Sequence, residues 1–232
     1  QLPEEIVVAY GEVPDSVELT ENGVSFLAPV KDGQKTGWFY DHRDNRARLM
    51  GLAKGMRVLD VFSYVGGWGV QAAAAGAEQV ICLDSSAPAL SFVAQNAERN
   101  GVGPRVRTRQ DDAFAGMKAL LDEGERFDIV VIDPPAFIKR RKDAEQGLTA
   151  YRRANELAMR LLVRDGILVS ASCSMHLPRE GLMDIVRATG RQVDRQVQVI
   201  AQGGQGGDHP VLPAAPETDY LKAVFARVTP TL

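Results

Sequence analysis

From Arg57 onward, short runs of β-branched and aliphatic residues alternate with helix-length segments, and this alternation constrains the fold more tightly than anything else in the chain. Strand-length runs occupy Arg57 to Phe62, Gln79 to Leu83, Arg105 to Arg109, Asp128 to Ile132 and Ile167 to Ser172. Helical segments lie between and after them, at Trp68 to Ala75, Ala87 to Asn100, Ala113 to Leu121, Glu145 to Val163 and Arg179 to Thr189. A strand followed by a helical crossover returns parallel to itself, so the pattern predicts an α/β fold, Rossmann-like, with helices on both faces of a mostly parallel sheet. Two further strands, Gln192 to Ala201 and Tyr220 to Val228, are separated by the breaker-rich segment from Gly203 to Pro210, where no crossover helix fits. That pair is expected to be antiparallel, completing seven strands with an antiparallel last strand.

Upstream of this unit, Ile6 to Tyr10, Val17 to Thr20 and Val24 to Val30 read as strands, with a hairpin signal at Glu21-Asn22-Gly23. Residues 1–36 are expected to form a small β-hairpin appendage and 37–232 the main domain. Asp41 to Ala53 reads as a helix capped by Asp41.

The chain has 232 residues, 45% of them hydrophobic. That is enough for one large core. Its longest apolar runs fall well short of the ~20 residues of a membrane span, and no export signal is visible at Gln1-Leu2-Pro3-Glu4-Glu5. Two distant cysteines, Cys82 and Cys173, argue against a disulfide scaffold or a Cys-based metal site; no metal is expected, and a reducing cytoplasm fits best. The net charge of −3 excludes a protein that coats nucleic acid with its whole surface. The charge is uneven, however. Residues 1–36 hold seven acids against two bases, whereas residues 138–153 hold six bases against two acids, with Lys139-Arg140-Arg141-Lys142 in an unbroken run.

Ligands of open α/β sheets bind outside the carboxyl ends of the strands, so the residues there carry the chemistry. The first strand leads into Asp60-Val61-Phe62-Ser63-Tyr64-Val65-Gly66-Gly67-Trp68-Gly69, a Gly-rich turn that lets backbone approach a ligand. It is not a G-x-G-x-x-G, and taken alone it suits a nicotinamide as well as other nucleoside cofactors. The second strand ends in Asp84, placed to accept from two ribose hydroxyls. The third is followed by Asp112-Ala113-Phe114, where an acid and an aromatic would meet an adenine; Asp112 is equally suited to cap the next helix. The fourth ends in Asp133-Pro134-Pro135-Ala136-Phe137, whose prolines fix an extended turn with the Asp held in the β region.

With these strand ends in place, the chain resembles class I S-adenosylmethionine (SAM)-dependent RNA methyltransferases of the bacterial 23S rRNA 5-methylcytosine type, close to the large-subunit methyltransferase I group. The matching stretches are Gln34 to Arg46, Phe62 to Gly69, Asp133 to Phe137, Ser172-Cys173-Ser174 and Asp208-His209-Pro210. The resemblance implies a SAM-dependent methyltransferase fold and SAM as cofactor. It also implies that Phe39, Asp41 and Arg43 help to enclose SAM, that Asp84 takes the ribose and Asp112 the adenine, and that Asp60, Phe62, Gly66, Gly67, Ala113 and Asp133 complete the cofactor site. Members usually carry an N-terminal RNA-binding module of the PUA type, and this sequence begins after it would end.

The fifth strand delivers Cys173 to the same edge as Asp133. Cytosine C5 is a poor nucleophile, and a thiolate adding at C6 makes C5 enamine-like and able to take a methyl group. Cys173 is therefore expected as the nucleophile, with Asp133 on the pyrimidine edge and Pro134, Pro135, Phe137, Lys139 and Arg140 around the substrate. The expected partner is RNA, ribosomal by the resemblance, with no membrane partner and homodimerisation left open. The base that removes the C5 proton is unassigned. Methylation of a guanine or an exocyclic amine is the enzymatic alternative, disfavoured by the thiol and by Ala136 where amino methyltransferases place an aromatic. A non-catalytic SAM- and RNA-binding assembly factor is the other. His209 is unassigned, and the segment Gly203 to Gly207 reads as a mobile lid or a flexible connector.

Overall fold

The computed structural model describes residues 10–31 and 37–231. It opens with the hairpin β1 (Ser16–Glu21) and β2 (Val24–Pro29), a two-stranded antiparallel sheet. Asn22 and Gly23 turn with φ of 53° and 79°, the left-handed pair that a tight hairpin needs. The expected strand before it lies, but for Tyr10, outside the described residues. After a short 3-10 turn at Tyr40–His42 come α1 (Arg43–Met50), β3 (Arg57–Val61), α2 (Gly69–Ala74), β4 (Gln79–Asp84), α3 (Ala87–Arg99), β5 (Val106–Gln110), α4 (Ala113–Asp122) and β6 (Phe127–Ile132). The chain ends with α5 (Ala144–Leu161), β7 (Leu162–Ser172), α6 (Arg179–Gln192), β8 (Arg195–Gly203) and β9 (Lys222–Pro230).

Seven strands form one sheet in the order β5-β4-β3-β6-β7-β9-β8. β3 to β7 pair in parallel; β9 is antiparallel to both neighbours and wedges between β7 and β8. The central strands are nearly unbroken apolar runs because both faces are covered. On one face Phe26, Trp38, Val58, Val70, Val93, Ile129, Val169 and Phe225 share a core with α1, α2, α3 and the hairpin. On the other, Leu59, Leu83, Met117, Val130, Met159 and Leu168 pack under α4, α5 and α6.

The hairpin is fastened through asparagines of α3 and its C-cap. Asn96 Oδ1 accepts from Leu27 N at 2.7 Å and its Nδ2 donates to Leu27 O at 3.2 Å; Asn100 does the same for Ser25 at 3.0 and 2.7 Å. The two amides thus act as a substitute strand, satisfying the open edge of β2. Phe26, fully buried with its ring 4.5 Å from that of Trp38, anchors the hairpin by burial, which contributes about 1.5–3 kcal/mol.

Several element boundaries lie a few residues from the sequence expectation, β8 starting at Arg195 and β9 at Lys222 among them, and two have a visible cause. Asp41 does not cap a helix beginning at its own position: α1 starts at Arg43 without a side-chain cap, because Asp41 is turned inward and accepts from Tyr220 at 2.9 Å. β7 begins at Leu162 rather than Ile167; Leu162 pairs with Phe127 and Ile167 with Ile129, the intervening residues looping past β6 with Asp165 at φ 64°.

Candidate active site

The carboxyl ends of β3, β4, β6 and β7 open onto a cavity of roughly 510 Å³, closed on the other side by Trp38 to Arg46 and by Tyr220. This size suits a nucleoside-sized ligand. A second, more open groove of roughly 640 Å³ lies at the other end of the sheet between α6 and β8, and holds none of the expected site residues.

The floor of the cavity is the Gly-rich turn. Phe62 and Ser63 donate backbone N–H groups to Leu83 O at 3.0 and 3.2 Å, and Tyr64 N donates to Asp84 Oδ2 at 2.8 Å. Phe62 and Tyr64 hold φ of 64° and 49°, left-handed values costly for bulky residues and typical of a ligand-binding turn held by its surroundings. Below it Asp60, fully buried, accepts from Gly69 N at 2.8 Å. Burial pushes its carboxyl up to about 7, with the Gly69 N–H partly opposing. A Cβ on Gly69 would stand 2.5 Å from Cys82 Sγ and 3.1 Å from Asp60 Oδ2, so only glycine lets α2 start this close to β3 and β4.

Asp133 stands at the exit of β6. Trp68 Nε1 donates to its Oδ2 at 2.9 Å, and His42 Nε2 lies 3.2 Å from Oδ1. Burial pushes the Asp133 carboxyl up, but His42, the indole N–H and the charge of Arg46 outweigh it and hold the group below its usual range. It is therefore an anion with both oxygens engaged and lone pairs to spare. Asn45 Nδ2 donates to Gly204 O at 2.9 Å and lies 3.1 Å from His42 Nδ1. That network assigns Nδ1 as the acceptor and Nε2 as the protonated nitrogen facing Asp133.

Glu21, the last residue of β1, is the buried hub behind the cavity wall. Its Oε1 accepts from Arg46 Nη1 at 2.8 Å and Gln71 Nε2 at 2.9 Å, and its Oε2 from Trp38 Nε1 at 2.9 Å. Arg46 also donates to Phe39 O at 2.9 Å. Five atoms in or beside the wall, Asp41 Oδ1, His42 Nε2, Arg46 Nε, Asp60 Oδ1 and Ser63 Oγ, are buried without a well-aligned hydrogen-bond partner among the described residues. Such orphans call for a polar ligand or water. With Asp84 at the end of β4, they fit a molecule carrying ribose hydroxyls, an ammonium and a carboxylate, as SAM does.

Of the residues singled out in the sequence, Phe39, Asp41, Phe62, Gly67, Asp84, Asp133, Pro134, Pro135 and Cys173 line the cavity together. Asp60, in β3, and Gly66, within the turn, do not line the cavity. Arg43 faces away and pairs with Asp208 at 3.2 Å. Asp112 is exposed and caps α4, accepting from Phe114 N and Ala115 N at 3.0 Å, with Ala113 the first residue of that helix. Phe137 packs edge-on against Tyr151, centroids 4.8 Å apart. Lys139 and Arg140 are exposed beyond it, and Arg140 pairs with Asp143 at 3.0 Å.

The glycine-rich loop after β8 is latched rather than loose. Arg179 donates to Gly203 O at 2.8 Å, Asn45 to Gly204 O, and Gly206 N to Asp41 O at 3.0 Å. A Cβ on Gly203 would collide with Asn45 Oδ1, so the glycine is needed for this close approach.

Trp38, His42, Arg46, Trp68, Tyr220 and Lys222 were not singled out in the sequence. The first four sit inside the motifs quoted above, where polar or aromatic residues in otherwise buried segments were the available signal. Nothing local marks Tyr220 or Lys222.

A parallel sheet whose final strand doubles back into its interior, with a Gly-rich turn after β3, an acid ending β4 and Asp-Pro-Pro after β6 around one cavity, is the architecture of a SAM-dependent methyltransferase domain. The model of the S-adenosylmethionine-dependent methyltransferase family matches residues 5–198, and the chain belongs to that family. It is 36% identical over 223 residues to the ribosomal RNA large subunit methyltransferase I of Erwinia tasmaniensis, covering 95% of this chain and 56% of the relative. It is 40% identical over 227 residues to a ribosomal RNA large subunit methyltransferase of Deinococcus radiodurans, covering 95% and 54%. The chain thus spans a little over half the length of these curated relatives. Among solved structures, SMU.776, a proposed methyltransferase complexed with SAH, superposes with a TM-score of 0.84 at 22% identity, covering 95% of this chain and 58% of that one. The M. jannaschii tRNA m1G37 methyltransferase does so at 0.66 and 15%, covering 95% and 59%. Likenesses at this identity establish the fold and leave the reaction to the site. Among the described residues no helix is long and apolar enough to cross a membrane.

Proposed function

We propose that this chain transfers a methyl group from SAM to C5 of a cytosine in large-subunit ribosomal RNA, with Cys173 as covalent nucleophile. The observation that carries the reading is that Cys173, at the end of β7, lines the same cavity as the cofactor turn and Asp133. SAM supplies an electrophilic methyl group. The Cys173 thiolate bonds to C6, the displaced electron pair makes C5 nucleophilic, and C5 takes the methyl as the donor leaves as a neutral thioether. Loss of the C5 proton to a base then lets the C6–S bond break, its electron pair returning to sulfur to restore the thiolate. Asp133, ionised and fixed by Trp68 and His42, accepts from the exocyclic amine of the cytosine.

Three features support this reading over nitrogen methylation or a non-catalytic role. Cys173 is partly accessible, whereas Cys82 is buried and its thiol is pushed well up by burial and by Asp60 and Asp84. Ala136, not an aromatic, follows the two prolines in the cavity wall, and Phe137 is committed to Tyr151. The basic run from Lys139 is exposed and follows by three residues Ala136 of the cavity wall, where it can neutralise RNA phosphates. The relatives named for ribosomal RNA support the substrate.

RNA containing 5-fluorocytosine, incubated with the protein and SAM, should form a covalent adduct that survives denaturation, since fluorine cannot leave as a proton. Cys173→Ala should abolish adduct and methylation while SAM affinity changes little. Methylation persisting in Cys173→Ala would sink the C5 mechanism and favour attack by a nitrogen.

A further inference from the structure

Lys222 opens β9 directly opposite Ser172 of β7 and is only 3% exposed. Its ammonium donates to the carbonyl of Ser174 at 2.6 Å, and among the described residues it forms no ion pair. An ammonium buried against a single carbonyl is expensive, because the hydration it loses is only partly replaced. Burial accordingly lowers its proton affinity and nearby Arg179 adds to this, while Asp219 and Cys173 pull the other way. Cys173 is the residue just before the carbonyl that fixes the ammonium, and it reaches the cavity in which attack would occur. The basic run at Lys139 to Lys142, by contrast, is exposed, so solvent screens its effect on the thiol.

We propose that Lys222 is the positioning cation that holds Cys173 as a thiolate, an inference that rests on the reading of Cys173 as nucleophile. The pairing suits both partners. A thiolate supplies the negative charge that the buried ammonium lacks, and the ammonium makes the ionised sulfur the favoured form near neutral pH. Of the other titratable groups nearby, His42 lies against Asp133 in the same cavity and Arg179 donates to Gly203 O at 2.8 Å, while Asp41 accepts from Tyr220; among the described residues only Lys222 is fixed on a carbonyl next to the thiol. Tyr151 on α5 and Tyr220 ahead of β9 are phenols pushed up chiefly by burial, and so neutral. Asp133 in the same cavity is an anion that opposes thiolate formation, and Arg46 is already committed to Glu21 and Phe39 O. His176 follows in the turn, with its backbone amide held by Ser174 Oγ at 3.3 Å. The register of β7 and β9 therefore sets the ionisation of the nucleophile: the last strand threads beside β7 and brings Lys222 with it.

The test is the pH dependence of Cys173 alkylation by iodoacetamide, read by mass spectrometry on the whole chain without SAM or RNA. Cys82 is buried, which keeps it out of the measurement, and Cys173→Ala is the blank. The wild-type midpoint should lie below ~7.5, in the range of cation-paired thiols. Lys222→Met should move it up to the ordinary ~8.5 or beyond, and alkylation near pH 7 should slow about tenfold for every whole pH step by which the midpoint rises. Lys222→Arg should keep a low midpoint. A wild-type midpoint at or above ~8.5 overturns the proposal without any variant, which covers the case in which Lys222→Met fails to fold. An unmoved midpoint in folded Lys222→Met overturns it as well. Alkylation reads the ionisation of the thiol, and the fluorocytosine adduct reads its use. A low, Lys222-dependent midpoint together with methylation by Cys173→Ala would leave the charge pair standing and remove the nucleophile; the opposite pair of results would do the reverse.

Discussion

Removing the carboxylate of Glu21 should damage both stability and cofactor binding, although this residue lies in the N-terminal hairpin, 25 positions from its guanidinium partner. Glu21 is 2% exposed and Arg46 4%, so Glu21→Ala leaves a guanidinium buried with Phe39 O as its remaining acceptor. Breaking one side of a buried ion pair costs about 3–5 kcal/mol. The Trp38 indole N–H and the Gln71 amide lose acceptors too, each worth about 1–3 kcal/mol if left unsatisfied, though not additively. A loss of at least ~3 kcal/mol is expected, against a total stability of about 5–15 kcal/mol for a domain. Glu21→Gln, which keeps shape and one acceptor, should cost less. Urea unfolding followed by circular dichroism gives the numbers, with the midpoint moving at constant slope. The double variant Glu21→Gln/Arg46→Met should be more stable than the sum of its singles by about 2 kcal/mol, because the second change removes the stranded charge. SAM affinity, measured by calorimetry, should fall in Glu21→Ala, since Trp38 and Arg46 line the cavity. A cost below ~1 kcal/mol, or singles that add to within about 0.5 kcal/mol, would refute the account of the hub.

Three further outcomes follow from the same geometry. Asp60 binds its proton more tightly in the folded chain, up to about 7, than the unfolded chain does near ~3.9. The folded state therefore holds the extra proton between those values, and stability should fall as pH rises from about 4 to about 7 and then level off, a component that Asp60→Asn should lack in urea midpoints. Gly69→Ala places a Cβ 2.5 Å from Cys82 Sγ and should cost about 1–3 kcal/mol and weaken SAM binding; pairing it with Cys82→Ala should recover part of the loss, and no recovery would count against the clash. Lys139→Ala and Arg140→Ala should weaken binding of RNA of any sequence and reduce the slope of log affinity against log salt by about 0.7–1 each; an unchanged slope would remove these residues from the RNA path.

The parallel sheet, its antiparallel final pair and the convergence of Asp84, Asp133 and Cys173 on one cavity were legible in the chain, because hydrophobic period and turn residues are local properties and the strand-end rule brings strand ends together. The left-handed turn at Asn22-Gly23 belongs to the same class. Asp41 shows the limit: its position before a polar helix reads as a cap, yet burial and a tyrosine 179 residues away claim its side chain. Tyr220 reaches Asp41, Lys222 reaches Ser174 and Glu21 reaches Arg46 only because β9 enters the sheet beside β7 and the hairpin docks on α3. Local propensity made the strands and their ends, whereas the environment of each charged group depended on which distant elements excluded water around it, and that was decided by the tertiary fold.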